Sequence, residues 1–147
     1  MAHAGVPGRT GVSISKVVAP TFLKIDCLRL PVADLEAALR FYRNDLGHEL
    51  IWRTRTAAGL RLPESNSELV IHTEGDPPET DLTVESVPEA LQRFLNAGGA
   101  VFAEPFEIAI GLCAVVADPW GNRIVLLDTS KGLLQTDTEG NVIDADR

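Results

Sequence analysis

The chain has 147 residues, 45% of them hydrophobic, and a formal net charge of −8, a size that suits one compact domain burying about two-thirds of its unfolded surface. The acidic balance argues against a nucleic-acid backbone or an anionic membrane as partner, since both need a basic face, and leaves a small molecule as the expected ligand. Its two cysteines, Cys27 and Cys113, fall in separate predicted strands without ligand spacing, which excludes a disulfide scaffold or a structural zinc site and points to reduced thiols in the cytoplasm.

Residues 1–21 carry Gly5, Pro7, Gly8, Gly11 and Pro20 without a sustained apolar run. They fit neither a signal peptide nor a membrane helix and read as a flexible arm. Residues 22–30 read as a first strand, after which Asp34 is placed to cap a helix whose apolar face is Leu35, Ala38, Leu39 and Tyr42 and which Gly47 closes. Three short extended segments follow, at 49–55, 59–62 and 68–73, separated by turn-rich pieces such as 63–66. After a linker at 75–78 comes a strand at 80–84. A helix then begins at Ser86, where Ser86 and Glu89 form the S-x-x-E capping pattern, and strands follow at 100–103, 111–117 and 122–127.

The last of these strands is entered through Asp118-Pro119-Trp120-Gly121-Asn122. Pro119 presets one turn position and Gly121 can take positive φ, so the chain reverses before running extended through Ile124–Leu127. Beyond the domain, residues 132–147 hold apolar runs about a polar Gly140-Asn141 centre and read as a terminal β-hairpin.

The two halves repeat one another. Val32 and Val84 stand 52 positions apart, and the same offset superposes Asp34 on Ser86, Leu35 on Val87, Ala38 on Ala90, Leu39 on Leu91, Tyr42 on Phe94 and Gly47 on Gly99. Cap, apolar stripe and terminator coincide, as expected of one supersecondary unit duplicated so that both copies bury their sheets together. The predicted fold is therefore α+β, two tandem βαβββ modules at 22–75 and 79–131 forming one domain at 22–131.

The segment from Ile25 to Asp34, the stretch 79–91 and the run from Asp118 to Leu127 together resemble the vicinal oxygen chelate superfamily, which includes glyoxalases, bleomycin-resistance proteins and extradiol dioxygenases. That resemblance implies a curled mixed sheet around an open cleft, commonly in a homodimer, with ligands held in the concavity. In metal-using members four side chains converge on one cation. The first-strand position falls here on Cys27, its repeat-mate on Glu79, and the final-strand position on Val125, which cannot ligate. The fourth lies in 68–72. Matching Asn66 to Asn122 puts Leu69 there, whereas a slip of one residue turns Glu68, Val70 and His72 inward instead.

This implies a superfamily member that binds a small molecule without the usual metal or other cofactor. The alternative is a metal-dependent lyase, isomerase or dioxygenase with zinc, iron, nickel or manganese held by Cys27, His72 and Glu79. Strand alternation from Cys27, Glu79 and Val125 aims Arg29, Asp81 and Arg123 into the same concavity. Arg29 and Arg123 are then available to a carboxylate ligand and Glu79 and Asp81 to an amine, or the four pair with one another, each exposed pair contributing under about 1 kcal/mol. Trp120 either roofs the cleft or packs as an ordinary turn residue. No G-x-S-x-G elbow, P-loop or dinucleotide G-x-G-x-x-G occurs.

Overall fold

The structure is a computed structural model that describes residues 19–143; most of the expected N-terminal arm lies outside these described residues. One eight-stranded mixed sheet runs in the order β2-β3-β4-β1-β5-β8-β7-β6 and is not closed into a barrel. Its strands are β1 (Lys24–Pro31), β2 (Leu50–Arg53), β3 (Ala57–Arg61), β4 (Glu68–His72), β5 (Glu79–Thr83), β6 (Ala100–Ile108), β7 (Gly111–Ala117) and β8 (Arg123–Leu127). The order is a palindrome of two βαβββ units: β1 runs parallel to β4 and β5 parallel to β8, while β1 and β5 meet antiparallel at the centre.

Helix α1 (Leu35–Leu39) starts where Asp34 Oδ1 accepts the Ala37 N–H at 3.1 Å. Its expected continuation to residue 46 is helical but widens into a π-helical stretch, Arg40–Asp45, in which the Leu46 N–H bonds the Phe41 carbonyl five residues back. Helix α2 (Val87–Asn96) starts where Ser86 Oγ accepts the Glu89 N–H, and it stops at Gly98, whose φ is 108°.

Each helix covers one half of the same sheet face, because strand side chains alternate. Leu35, Ala38 and Leu39 pack on Ala58, Leu60, Leu69 and Ile71, while Val87 and Ala90 pack on Val84, Ala114, Val116 and Leu126. Full burial of each Leu, Ile or Val contributes about 1.5–3 kcal/mol, so each cluster holds its own module together.

Module two carries a further lock. Asp128, buried just past β8, accepts the Val87 N–H at 2.8 Å, the Leu112 N–H at 2.9 Å and the Ser130 hydroxyl at 2.8 Å. Burial acts to raise its pKa, but the Val87, Leu112 and Ser130 donors outweigh that and hold the carboxyl below its ordinary range. Gly111 makes room for it: a Cβ there would stand 2.3 Å from the Asp128 carbonyl oxygen.

Strand β6 extends past the expected end at residue 103 and through Pro105 to Ile108. Proline is tolerated because β6 is a sheet edge and its pairing with β7 shifts between Ala103 and Phe106. The C-terminal segment turns back on itself, with Thr136 bridging Val142, and docks on the other edge, where the Arg53 N–H donates to Gly140 O and the Val142 N–H to Arg53 O. Asp137 builds that turn by accepting the Glu139 and Asn141 N–H groups at 2.9 Å. Asp118 does the same for Trp120 and Asn122 at 2.9 Å, so one D-x-x-G-N loop occurs twice.

Candidate functional site

The face opposite the helices, the one the superfamily resemblance makes concave, takes its floor from the four central strands. Across β1 and β5, Cys27 lies opposite Asp81 and Arg29 opposite Glu79. Cys27 and Glu79, like Arg29 and Asp81, are 52 positions apart, so the pseudo-twofold axis passes between these two pairs. The outer neighbours fix the remaining register: Arg29 pairs with Val70 on β4, and Asp81 pairs with Val125 on β8.

Val70 and Val125 are thus equivalent, which corrects the expectation drawn from matching Asn66 to Asn122. Leu69 is on the helix-covered face, packed in the module-one core, while Glu68, Val70 and His72 share the concave face. The two halves differ by one residue in the stretch before the final strand, and a one-residue change there exchanges the faces of the strand.

Charges on this face are arranged around Arg29. Its Nη2 lies 2.9 Å from Glu74 Oε1 and its Nε 3.6 Å from Glu79 Oε2, while Thr56 Oγ1 donates to the other Glu74 oxygen at 2.7 Å. Arg123, on the same face two residues before Val125, holds its guanidinium 3.8 Å above the centre of the Phe102 ring. The expected set of two cations and two carboxylates therefore does not resolve into two ion pairs. Arg29 is shared between two glutamates, and Arg123 rests on an aromatic ring.

The Cys27 Sγ–H donates to Asp81 Oδ2 at 3.5 Å, and both residues are buried, at 4% and 6% exposure. Burial, Asp81 and Asp26 together push the Cys27 thiol far up, against a smaller opposing effect of Arg29. Burial and the neighbouring Glu79 push the Asp81 carboxyl up to about 8. Asp81 Oδ1 has no hydrogen-bond partner. Cys113 on β7 shares this face, its thiol pushed up to about 12 by burial and by Asp81 and Glu79.

His72 is fully buried at the end of β4. Its Nδ1 accepts the Glu74 N–H at 3.1 Å, so in the neutral ring Nε2 carries the hydrogen, and Nε2 has no partner. Trp120 is 81% exposed in its turn. A depression of about 300 Å³ opens where β5 and β8 begin, with Leu28, Thr80, Leu82 and Ile124 from the helix-bearing side and Glu79 and Arg123 from the concave side.

The donors do not suit a superfamily-type metal. Of the four equivalent positions Val70 and Val125 have no ligating atom, and the thiol at Cys27 is strongly biased toward its protonated form and committed to Asp81. The alternative set of Cys27, His72 and Glu79 does not assemble. Along β4, Cys27 is level with Glu68 and His72 with Pro31, a separation of four residues or roughly 13 Å. Among the described residues no three His, Cys, Asp or Glu side chains are placed to hold one ion.

Three participants escaped the sequence reading, and a fourth, Val70, was offered only by its alternative register. Glu74 lies beyond its strand and is recruited through Arg29 and Thr56, and Phe102 is brought under Arg123 by an irregularity in β6. Val70 needed the strand register. Cys113 alone had a usable signal, since alternation along β7 sets it on one face with Val115, opposite Val125.

Comparison with known structures supports the same architecture. Methylmalonyl-CoA epimerase from Mycobacterium tuberculosis superposes with a TM-score of 0.63 at 17% identity, covering 79% of this chain and 94% of that one. Homoprotocatechuate 2,3-dioxygenase from Brevibacterium fuscum gives 0.57 at 24% identity over 82% of this chain and 41% of that one. The Mn(II)-bound glyoxalase from Novosphingobium aromaticivorans gives 0.54 at 19%, over 80% and 43%. At these identities the likeness is one of fold, and no curated protein matches the chain. The superfamily profile itself matches residues 24–126, the span of the paired modules, and the chain belongs to the Glyoxalase/Bleomycin resistance protein/Dioxygenase superfamily.

Proposed function

We propose that this protein binds a small organic molecule in the concavity of its sheet without the metal ion that many relatives use there. The observation that carries the reading is the pair Val70 and Val125 at the two equivalent final-strand positions, which removes half of the family's ligand set. The polar groups that remain, Arg29, Glu79, Asp81 and Arg123, flank buried apolar side chains, the usual composition of a small-molecule site. We read the protein as a homodimer, for which exposed Phe41, Leu46, Phe102 and Phe106 offer apolar surface. The two buried free thiols are compatible with a cytoplasmic setting.

Elemental analysis of protein purified without chelators tests the central point, and well under one metal equivalent per chain is expected. About one equivalent of zinc, iron, nickel or manganese, lost in Glu79→Ala, would replace this reading with a metal-dependent lyase, isomerase or dioxygenase. A metabolite and antibiotic screen by thermal shift supplies the positive side: at least one compound should raise Tm, and less so in Arg29→Ala. Sedimentation velocity tests the dimer.

A further inference from the structure

We propose that Glu79 and Arg123 hold the two charges of one small zwitterion, an α-amino acid with an apolar side chain, at the depression where β5 and β8 begin. The inference rests on the small-molecule reading above and gives that molecule a chemical class and an anchoring pair.

Register leads to it. Strands β5 and β8 run parallel with Asp81 level with Val125, so two residues earlier Glu79 is level with Arg123, on the same face and about 4.8 Å away at the backbone. Opposite charges so placed ordinarily pair across the strands. These two are drawn apart instead. Arg29, on the strand that flanks β5 on its other side, has its Nε 3.6 Å from Glu79 Oε2, and Phe102 on β6 holds the Arg123 guanidinium 3.8 Å above its ring centre. Stacking engages the flat face of a guanidinium and leaves the N–H groups along its edge free for the two oxygens of a carboxylate. Among the described residues Arg123 meets no carboxylate within 4.0 Å.

The depression supplies the rest. It measures about 300 Å³, at the small end for ligand sites, and takes Glu79 and Arg123 from one side of the sheet and Leu28, Leu82 and Ile124 from the other. A ligand with a single charge does not match this lining. A carboxylate held by Arg123 alone comes to lie beside Glu79, and an ammonium held by Glu79 alone comes to lie beside Arg123, each a like-charge contact. A molecule with both groups on one carbon answers the two side chains at the spacing of adjacent strands, and its own side chain is left to the apolar wall.

L-Leucine and L-phenylalanine test this, each beside its deaminated acid and its decarboxylated amine: 4-methylpentanoate and 3-methylbutylamine for the first, 3-phenylpropanoate and 2-phenylethylamine for the second. All are titrated against the full chain by NMR and calorimetry at one pH. At least one amino acid should shift the backbone signals of Thr80, Leu82 and Ile124 together with the Arg123 side chain, and bind about tenfold or more tightly than either of its single-charge analogues. Glu79→Gln should bring that amino acid down to the affinity of its acid without weakening the acid, and Arg123→Gln should bring it down to that of its amine. Glu79 is part-exposed and Arg123 exposed, and if one variant fails to fold the other carries the same comparison. A single-charge analogue that binds there as tightly as its amino acid, or an amino acid indifferent to both substitutions, overturns the inference and leaves the small-molecule reading standing. Silence of every probe also overturns the inference, and together with a flat metabolite screen it overturns both.

Discussion

Modules one and two follow the same path but close their last strands with different chemistry. The Val32 N–H bonds the His72 carbonyl at 2.8 Å and the Val84 N–H bonds the Leu127 carbonyl at 2.9 Å, so His72 corresponds to Leu127 and Thr73 to Asp128. In module one the residue after the strand is an exposed threonine. In module two it is a buried carboxylate that ties the start of α2 to β7 and to the 128–130 turn. The duplicated backbone thus fixes where a strand ends and which residues face the concavity. It leaves open which module carries the lock and which ends its last strand on an unsatisfied polar group.

Breaking the lock should give the largest effect. Asp128→Ala strands the Val87 and Leu112 N–H groups and is expected to destabilise the fold by about 3–5 kcal/mol in urea melts, against under about 0.5 kcal/mol for Thr73→Ala. Similar losses from both would show that the two strand ends are energetically alike after all.

The next contrast lies at the centre of the sheet, where Arg29 of module one corresponds to Asp81 of module two. An unfolded aspartate ionises near pH 3.8, whereas native Asp81 is pushed up to about 8 by burial and by Glu79. Between these values the native state binds the extra proton, so this group makes stability fall as pH rises, by at most about 1.4 kcal/mol per pH unit. Asp81→Asn should flatten that part of the stability profile. A slope unchanged in the variant would place the titrating group elsewhere.

His72→Leu writes the module-two residue into module one. It removes a buried Nε2 without a partner, and the Glu74 N–H it frees belongs to an exposed residue, so a gain of roughly 0.5–1 kcal/mol is expected. A loss larger than about 1 kcal/mol would mean that the imidazole orders the Arg29–Glu74 pair. Smallest of all should be Asp137→Ala. It opens the terminal turn at the β2 edge and is expected to cost about 1 kcal/mol or less, read most directly as faster amide exchange at Arg53 and Val142.

Much of this architecture was legible because it is written in local chemistry. Asp34 and Ser86 cap their helices, a glycine ends the second at Gly98, one residue before the expected Gly99, and the Asp118–Asn122 loop is built from its own side chains. The 52-residue offset reproduces the pairing of Cys27 with Asp81 and Arg29 with Glu79, since a duplicated strand packed against its copy must pair symmetrically. It gave no guide to β4, because Val70 and Val125 are 55 positions apart, three more than the helices they follow.

By itself, then, the sequence determined the α+β class, the duplication and the face on which Cys27, Arg29, Glu79, Asp81 and Val125 stand, because hydrophobic period, caps and turn residues act over a few positions. Tertiary structure decided what meets on that face and what holds it. Arg29 is claimed by Glu74, Arg123 by Phe102, Asp81 by Cys27, and Asp128 reaches a helix 41 residues away. Each of these contacts joins segments whose spacing is set by loop lengths, and loop length leaves little trace in the residues that eventually touch.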